Sequence, residues 1–148
     1  MRLGIWRKPD GAPQFTGDRP GMGWEAVCVC HRPGKKRWNG GGKHGVWTYP
    51  KGVQYQVNGT GHPCCKPLAL FQDFVSDFTD EDDLVLDSYM GSGTTGVACV
   101  NLDRRFIGVE LDLEYCKVGV GRIQRAMVDR GLISRPSLAG LCDAEAVR

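Results

Sequence analysis

A glycine-rich turn between two short apolar runs constrains the fold of this chain more than any other feature. The first run is "LVLD" (84–87), the turn is "GSGTTG" (91–96), and the second run is "RRFIGVE" (104–110), which ends on an acid. A short continuous apolar run is typical of a buried parallel strand, and glycine allows a sharp reversal at its end. The stretch between them, "TTGVACVNL", favours a helix. The order therefore predicts one βαβ unit.

The turn also has the spacing of a cofactor-binding loop. Gly91, Gly93 and Gly96 match the pattern G-x-G-x-x-G, in which the missing side chains let the backbone approach a ligand. Glu110 ends the next strand, where a carboxylate can bind the ribose hydroxyls of an adenosine cofactor. The motif alone leaves three alternatives open: NAD, S-adenosylmethionine, or a tight turn with a purely structural role.

Elements on both sides of this unit are also predicted. "LGIWRKP" and "WEAVCVCHR" are β-prone runs, and "PGKKRWNGGGKHGVWTYPKG" has too few aliphatic residues to bury itself, so it is predicted to be an extended surface loop. Pro67 is predicted to lie in the first turn of a helix that continues to Phe78. Asp112 is predicted to cap a last helix that stops at Gly131. The buried stripe of that helix is predicted to contain Leu113, Cys116, Val120, Ile123 and Met127.

Charge is distributed unevenly along the chain. The net charge is only +2, but residues 26–72 contain seven Lys and Arg residues and no acid, whereas residues 73–148 are acidic. Such segregation indicates a polyanionic partner for the middle segment. Phosphate contacts are predicted for Lys35, Lys36, Arg37, Lys43 and Lys51, and stacking surfaces for Trp38, His44, Trp47 and Tyr49. The alternative is a solvated basic loop without a partner.

Composition narrows the class of protein further. With 148 residues, 41% of them hydrophobic, the chain has the size of one globular domain. No apolar run approaches the ~20 residues of a membrane span, and seven cysteines without a disulfide-type spacing favour a reducing cytoplasm. A zinc site built from Cys28, Cys30, His31 and the "HPCC" segment is disfavoured because paired CxxC spacings are absent. The simpler expectation is that Cys28, Cys30, Cys99 and Cys116 are small buried apolar residues.

A second motif narrows the choice of cofactor. The series "HPCCKPLALFQDF…DLVLDSYMGSGTTGVA…RRFIGVELDLEY" closely resembles the HP-x-x-KP, D-P-F-x-GSGTT and G-x-E motifs of the β-type DNA amino-methyltransferases. The resemblance is dense over residues 62–123. It continues more loosely over residues 4–32, which are similar to phage-type members. It implies a partial Rossmann-like α/β methyltransferase fold of the circularly permuted type, with a basic loop inserted.

The resemblance also implies an activity and a set of site residues. The family transfers a methyl group from S-adenosylmethionine to an exocyclic nitrogen of adenine or cytosine in double-stranded DNA, often within restriction-modification systems. The implied cofactor-binding residues are His62, Pro63, Lys66, Asp87, Gly91, Gly93, Thr94 and Glu110. Ser88 replaces the family's usual proline, and Cys64 and Cys65 fill its variable pair. The basic loop occupies the place of the family's target-recognition region.

The family's catalytic motif is missing from this sequence. It consists of an acid or Asn, then Pro-Pro and an aromatic residue, and no Pro-Pro pair occurs in the 148 residues. We therefore assign no catalytic residue and expect a C-terminal portion of such an enzyme, with the missing N-terminal half on another chain or upstream. The expected segments are strands (1–33), the basic loop (34–61), the cofactor-binding half (62–131) and a tail (132–148). The competing interpretations are a non-catalytic DNA- or partner-binding remnant and an NAD-binding fragment.

Overall fold

The predicted βαβ unit is present in the folded chain. A computed structural model describes residues 1–34, 36–51 and 65–134. In those ranges the chain forms β1 (Arg2–Arg7), β2 (Trp24–Val29), β3 (Val46–Thr48), α1 (Leu68–Phe78), β4 (Leu84–Asp87), α2 (Thr94–Asn101), β5 (Arg105–Gly108) and α3 (Leu113–Asp129). Strands β4 and β5 are parallel, with α2 as the crossover between them. None of the helices in the described ranges is long and apolar enough to span a membrane.

The first two strands join a third that the sequence did not predict. β1 lies in the middle of a three-stranded sheet, antiparallel to β2 and parallel to β3. The prediction of an extended surface loop is therefore wrong for residues 46–48. Trp47 is only 2% exposed and pairs in register with Trp6. The large aromatic side chain of Trp47 supplies buried apolar area in a segment that has few aliphatic residues.

Helix α1 joins the two sheets into one body. Its Leu70 packs with Trp6 and Trp47 of the three-stranded sheet. Its Val75 packs with Ala98 and Cys99 of α2, and this cluster also receives side chains from β4 and β5. Each sheet therefore packs one face against the helices, and α1 contributes side chains to both clusters.

The last helix follows its predicted ends but only part of its predicted stripe. The Asp112 carboxylate accepts the N–H groups of Glu114 and Tyr115, as expected for the cap. Gly131 has a φ of 69°, and the following residue donates back into the last turn, so the predicted stop is confirmed. The predicted burial of Leu113 and Val120 is wrong, because the two side chains are 66% and 43% exposed. Cys28 and Cys30, also predicted to be buried, are exposed as well.

Candidate functional site

The glycine turn connects the carboxyl end of β4 to the first turn of α2. Gly91 and Gly93 have φ angles of 49° and 74°, in the left-handed region that side-chain-bearing residues rarely adopt. The Gly93 N–H donates to the Met90 carbonyl at 2.8 Å, and the Met90 N–H donates to the Val109 carbonyl at 3.0 Å. The turn is thereby fixed between the ends of the two parallel strands, which is where ligands bind in open α/β sheets.

Glu110 lies directly against this turn. Its Oε2 accepts the N–H of Gly91 at 2.9 Å, and its Oε1 accepts the N–H of Asp112 at 2.9 Å. The hydrogen bond from the Asp112 N–H is the largest cause that lowers the pKa of Glu110; desolvation opposes it, and the hydrogen bond from the Gly91 N–H lowers the pKa as well. The carboxylate is therefore ionised at neutral pH. It keeps lone pairs for further donors, since each carboxylate oxygen can accept about two hydrogen bonds.

Asp87 braces the other side of the turn. Its Oδ2 accepts the hydroxyl of Thr95 at 2.5 Å, and its Oδ1 accepts the N–H of Tyr89 at 3.0 Å. Both oxygens are thus engaged with the chain itself, and they tie the end of β4 to the first turn of α2. The structure places Asp87 at the predicted turn, and a direct contact with a cofactor stays a prediction.

The start of α2 presents backbone donors at the same place. Its cap residue, Gly93, carries no side chain, so no side-chain oxygen caps the first N–H groups of the helix. Uncapped N–H groups and the positive end of the helix dipole favour an anionic group at this end. Thr94 is buried beside them, 5% exposed. The glycine turn, Glu110 and this helix end together form the candidate cofactor site.

Two residues of α3 support the turn, and sequence reasoning gave neither of them this role. Arg122 donates through Nη1 to the Ser92 carbonyl, to the Ser92 hydroxyl at 2.9 Å and to the Thr94 hydroxyl at 3.3 Å. Gly119 lies so close that a Cβ there would be 3.0 Å from the Gly91 carbonyl oxygen. The sequence signal for this shared role was the spacing of three residues between Gly119 and Arg122, which places both on one face of α3.

Lys66 makes its contacts away from the glycine turn, and its role in cofactor binding stays a prediction. Its ammonium group binds Glu25 of β2 at 2.9 Å and lies 5.1 Å from the ring centroid of Trp6. Its neighbour Cys65 is the residue that contacts the turn, with Sγ 3.5 Å from the Ser92 hydroxyl. His62 and Pro63, the other predicted residues of this motif, lie outside the described residues.

Much of the predicted basic surface is paired with acids of the same chain. Arg37 binds Asp80 at 2.6 Å and Asp83 at 2.7 Å, just beyond the end of α1. Lys43 binds Asp73 at 3.3 Å and Asp77 at 3.0 Å, both on α1. Burial lowers the pKa of Lys43. The hydrogen bonds and charges of Asp77 and Asp73 raise it by more, so the pKa of Lys43 is raised overall. These ion pairs therefore hold the basic segment against α1 and the turn that follows it.

The aromatic residues of the basic segment separate into buried and exposed members. Trp47 lies in the core and donates through Nε1 to Asp77 at 2.9 Å, so its ring is not available to stack on a base. Trp38 is half-buried, with its ring centroid 5.2 Å from that of Phe78. Lys36 and His44 are exposed. A cavity of about 560 Å³ has Arg2, His31, Lys36 and Trp38 among its lining residues, and Lys35 lies outside the described residues.

The described residues bring no three His, Cys, Asp or Glu side chains together as a metal site would require. Part of the disfavoured zinc ligand set, His62 and Cys64, falls outside those residues.

Comparison with known proteins identifies the family. A family model described as "DNA methylase" matches residues 3–120, most of the chain. The chain belongs to this family. Among its curated relatives, the type II methyltransferase M2.MboI of Moraxella bovis is 32% identical over 133 residues, which cover 82% of this chain and 49% of the relative. The type II methyltransferase M.Cfr9I of Citrobacter freundii is 30% identical, covering 81% of this chain and 43% of the relative.

Solved structures agree with this family assignment. The M1.HpyAVI–SAM complex superposes with a TM-score of 0.67 at 32% identity, covering 83% of this chain and 61% of that one. The cytosine-N4-specific PvuII DNA methyltransferase superposes with a TM-score of 0.63 at 22% identity, which shows the shared fold alone. The predicted family and the partial α/β fold are confirmed. This DNA methylase chain spans about half the length of the curated relatives it matches.

Proposed function

We propose that this chain supplies the cofactor-binding half of a DNA methyltransferase that moves a methyl group from S-adenosylmethionine to an exocyclic amino nitrogen of adenine or cytosine. The observation that carries the proposal is the convergence of an ionised Glu110, two glycines with positive φ and the uncapped start of α2. A 32% identical protein, M1.HpyAVI, is described as a complex with SAM. An NAD-binding fragment is not favoured by these relatives.

The residues present fit the chemical groups of that cofactor. Glu110 would accept hydrogen bonds from the ribose hydroxyls, because an ionised carboxylate forms strong charge-assisted bonds. The first N–H groups of α2, beside Thr94, would bind the cofactor's carboxylate. Gly91 and Gly93 leave the space that a Cβ would otherwise fill. The bound cofactor supplies an activated methyl group, and these side chains position it.

The groups that hold the acceptor base must come from elsewhere. The chain contains no Pro-Pro-aromatic motif, and methyl transfer depends on holding the acceptor nitrogen in line with the methyl group. Extruding a base costs a few kcal/mol, which is recovered only in a receiving pocket. We infer that a polypeptide carrying the missing half completes the enzyme, and that residues 1–148 alone bind the cofactor without turnover.

Double-stranded DNA is the proposed substrate, and its contact surface is smaller than the sequence indicated. Lys36 and His44 are exposed, and Trp38 and Arg2 line the adjoining cavity. Trp47 leaves this proposed surface because it is buried, whereas Arg37 and Lys43, with side chains 46% and 38% exposed, stay on it with internal ion pairs that compete with DNA. Several relatives are named type II methyltransferases, which supports a role in restriction-modification; a cytoplasmic location is part of the proposal.

The cofactor proposal is tested by calorimetric titration of the purified chain with S-adenosylmethionine and with NAD. We expect S-adenosylmethionine to bind more tightly, and Glu110→Ala to weaken it about tenfold or more, since a hydrogen bond to a charged group contributes about 1.5–3 kcal/mol. Glu110→Gln, which keeps one acceptor oxygen, should weaken it less. Glu114→Ala, four residues away and exposed, is the matched control. Equal or tighter binding of NAD would contradict the proposal.

The DNA proposal is tested by the salt dependence of duplex binding. Each phosphate contact contributes a slope of about 0.9 in the plot of log affinity against log salt, so Lys36→Ala should flatten that slope by about one contact. Lys117→Ala on α3 is the control because that residue already pairs with Glu114. Identical slopes for the wild type and Lys36→Ala would remove Lys36 from the interface.

A further inference from the structure

Arg122 of α3 brings a positive charge to the glycine turn. Its Nη1 donates to the Ser92 carbonyl, to the Ser92 hydroxyl at 2.9 Å and to the Thr94 hydroxyl at 3.3 Å. These three acceptors are uncharged, so they orient the guanidinium group without neutralising it. Ser92 and Thr94 are 7% and 5% exposed, and a charge acts more strongly through buried groups than through water. The charge of Arg122 is therefore felt at the turn itself.

The contacts of Arg122 also determine the direction in which the two hydroxyl groups can donate. A hydroxyl oxygen that accepts from a guanidinium uses a lone pair to do so, and its own hydrogen points elsewhere. The hydroxyl oxygens of Ser92 and Thr94 lie 3.5 Å and 3.9 Å from the Cys65 Sγ, and sulfur is a weak acceptor. A carboxylate oxygen is a much stronger one. Both hydroxyls are thus turned away from Arg122, and its charge strengthens them as donors.

These donors lie at the start of α2, where the two ends of the turn differ in electrostatic sign. Thr94 is the first residue of the helix, and its cap, Gly93, has no side chain to accept the first N–H groups. The helix dipole contributes about half a positive charge at this end, and Arg122 adds a full one. Glu110 accepts a backbone N–H of the same turn at 2.9 Å, so the turn has a negative end at Glu110 and a positive end at α2.

We propose that Arg122 is a positioning and specificity residue for the cofactor, which makes the site select a ligand with a carboxylate through the hydroxyls of Ser92 and Thr94. The inference rests on the proposed function and goes beyond it, because it assigns this selectivity to a side chain outside the glycine motif. A residue that only held the turn in place would support every adenosine ligand alike. The two roles therefore differ in a measurable quantity, the ratio of two affinities.

The test is calorimetric titration with S-adenosylmethionine and with decarboxylated S-adenosylmethionine, which keeps the adenosine, the sulfonium and the amine but lacks the carboxylate. The wild type should bind S-adenosylmethionine about tenfold or more tightly than this analogue. Arg122→Gln should lower that ratio about three- to tenfold, by weakening S-adenosylmethionine and leaving the analogue nearly unchanged. Arg122→Lys keeps the charge and should retain part of the ratio.

Two further substitutions separate the charge from its position. Arg125→Gln removes the same charge from an exposed site three residues further along α3, so its ratio should equal that of the wild type. Thr94→Val keeps the shape of the side chain but removes a hydroxyl that accepts from Arg122, and it should lower the ratio. Because Arg122 acts through this hydroxyl, the effects of Arg122→Gln and Thr94→Val on the ratio should be less than additive.

The proposal is overturned if Arg122→Gln weakens both ligands by the same factor, or if Arg125→Gln lowers the ratio equally. Where circular dichroism shows that Arg122→Gln does not fold, Thr94→Val decides, and an unchanged ratio in that variant overturns the proposal. If the wild type binds S-adenosylmethionine but its ratio does not depend on Arg122, this inference fails and the proposed function stands. A wild type that binds neither ligand contradicts both.

Discussion

Gly119 provides a sharp test of how α3 holds the glycine turn, because a second glycine in the same helix is a matched control. A Cβ on Gly119 would lie 3.0 Å from the carbonyl oxygen of Gly91 and 3.3 Å from the amide nitrogen of Gly93. Both are backbone atoms, which cannot rotate aside as a flexible side chain can. A Cβ on Gly121 would meet nothing within 4 Å.

The structure sets the magnitude and sign for each alanine variant. Glycine inside a helix is about 1 kcal/mol less favourable than alanine, so Gly121→Ala should raise the free energy of unfolding by about 1 kcal/mol. In Gly119→Ala the same gain is opposed by overpacking, which typically amounts to about 1–3 kcal/mol. The free energy of unfolding should therefore stay unchanged or fall by up to about 2 kcal/mol. The two variants should differ by about 1–3 kcal/mol.

Urea denaturation followed by circular dichroism measures this difference, and each kcal/mol should shift the thermal midpoint by about 2–4 °C. Titration with S-adenosylmethionine adds a functional readout, because a displaced Gly91–Gly93 backbone should weaken cofactor binding only in Gly119→Ala. If Gly119→Ala stabilises the chain as much as Gly121→Ala, the close approach of α3 to the turn is refuted.

Three further predictions follow from burial and charge. Burial raises the pKa of Cys99 to about 11, so iodoacetamide at pH 8 should label the exposed Cys28 much faster than Cys99, and equal native rates would contradict this. Hydrogen bonds from the backbone lower the pKa of Glu110. The stabilisation by this carboxylate is therefore complete above its unfolded pKa of about 4.3 and is lost as pH falls through the lower folded value. In Glu110→Gln the thermal midpoint should fall less steeply with acid than in the wild type. Trp47→Ala should lower the free energy of unfolding by about 3–5 kcal/mol, whereas Phe15→Ala, at an 88% exposed position, should change it by less than about 0.5 kcal/mol.

The βαβ unit was predictable because its determinants are local. A four-residue apolar run, glycines that tolerate positive φ and a capping aspartate each act within a few residues of one another. The structure bears this out at Asp87, where β4 ends, and at Asp112, whose carboxylate caps α3. The position of Glu110 against the turn follows from the same unit, since parallel strands place their carboxyl ends together.

Contacts between distant segments were not predictable from spacing. Trp47 is separated from Asp77 by 30 residues, and no periodicity in a three-residue strand marks it as a core residue. Arg122 and Gly119 act on the turn through the packing angle of α3, which the sequence pattern does not specify. Lys66 follows its motif in sequence, yet its ammonium group binds Glu25, 41 residues earlier.

Charge segregation along the chain admits two physical explanations, and the structure separates them. A basic segment can indicate an external polyanion, or it can be neutralised by an acidic segment of the same chain. Arg37 and Lys43 follow the second explanation, because four aspartates on and just after α1 receive them. Lys36 forms no ion pair with any other residue in the described part of the chain. The phosphate contacts of this segment therefore depend on cations such as Lys36 that α1 does not already bind, which is why the salt slope of the Lys36→Ala variant tests whether Lys36 itself touches DNA.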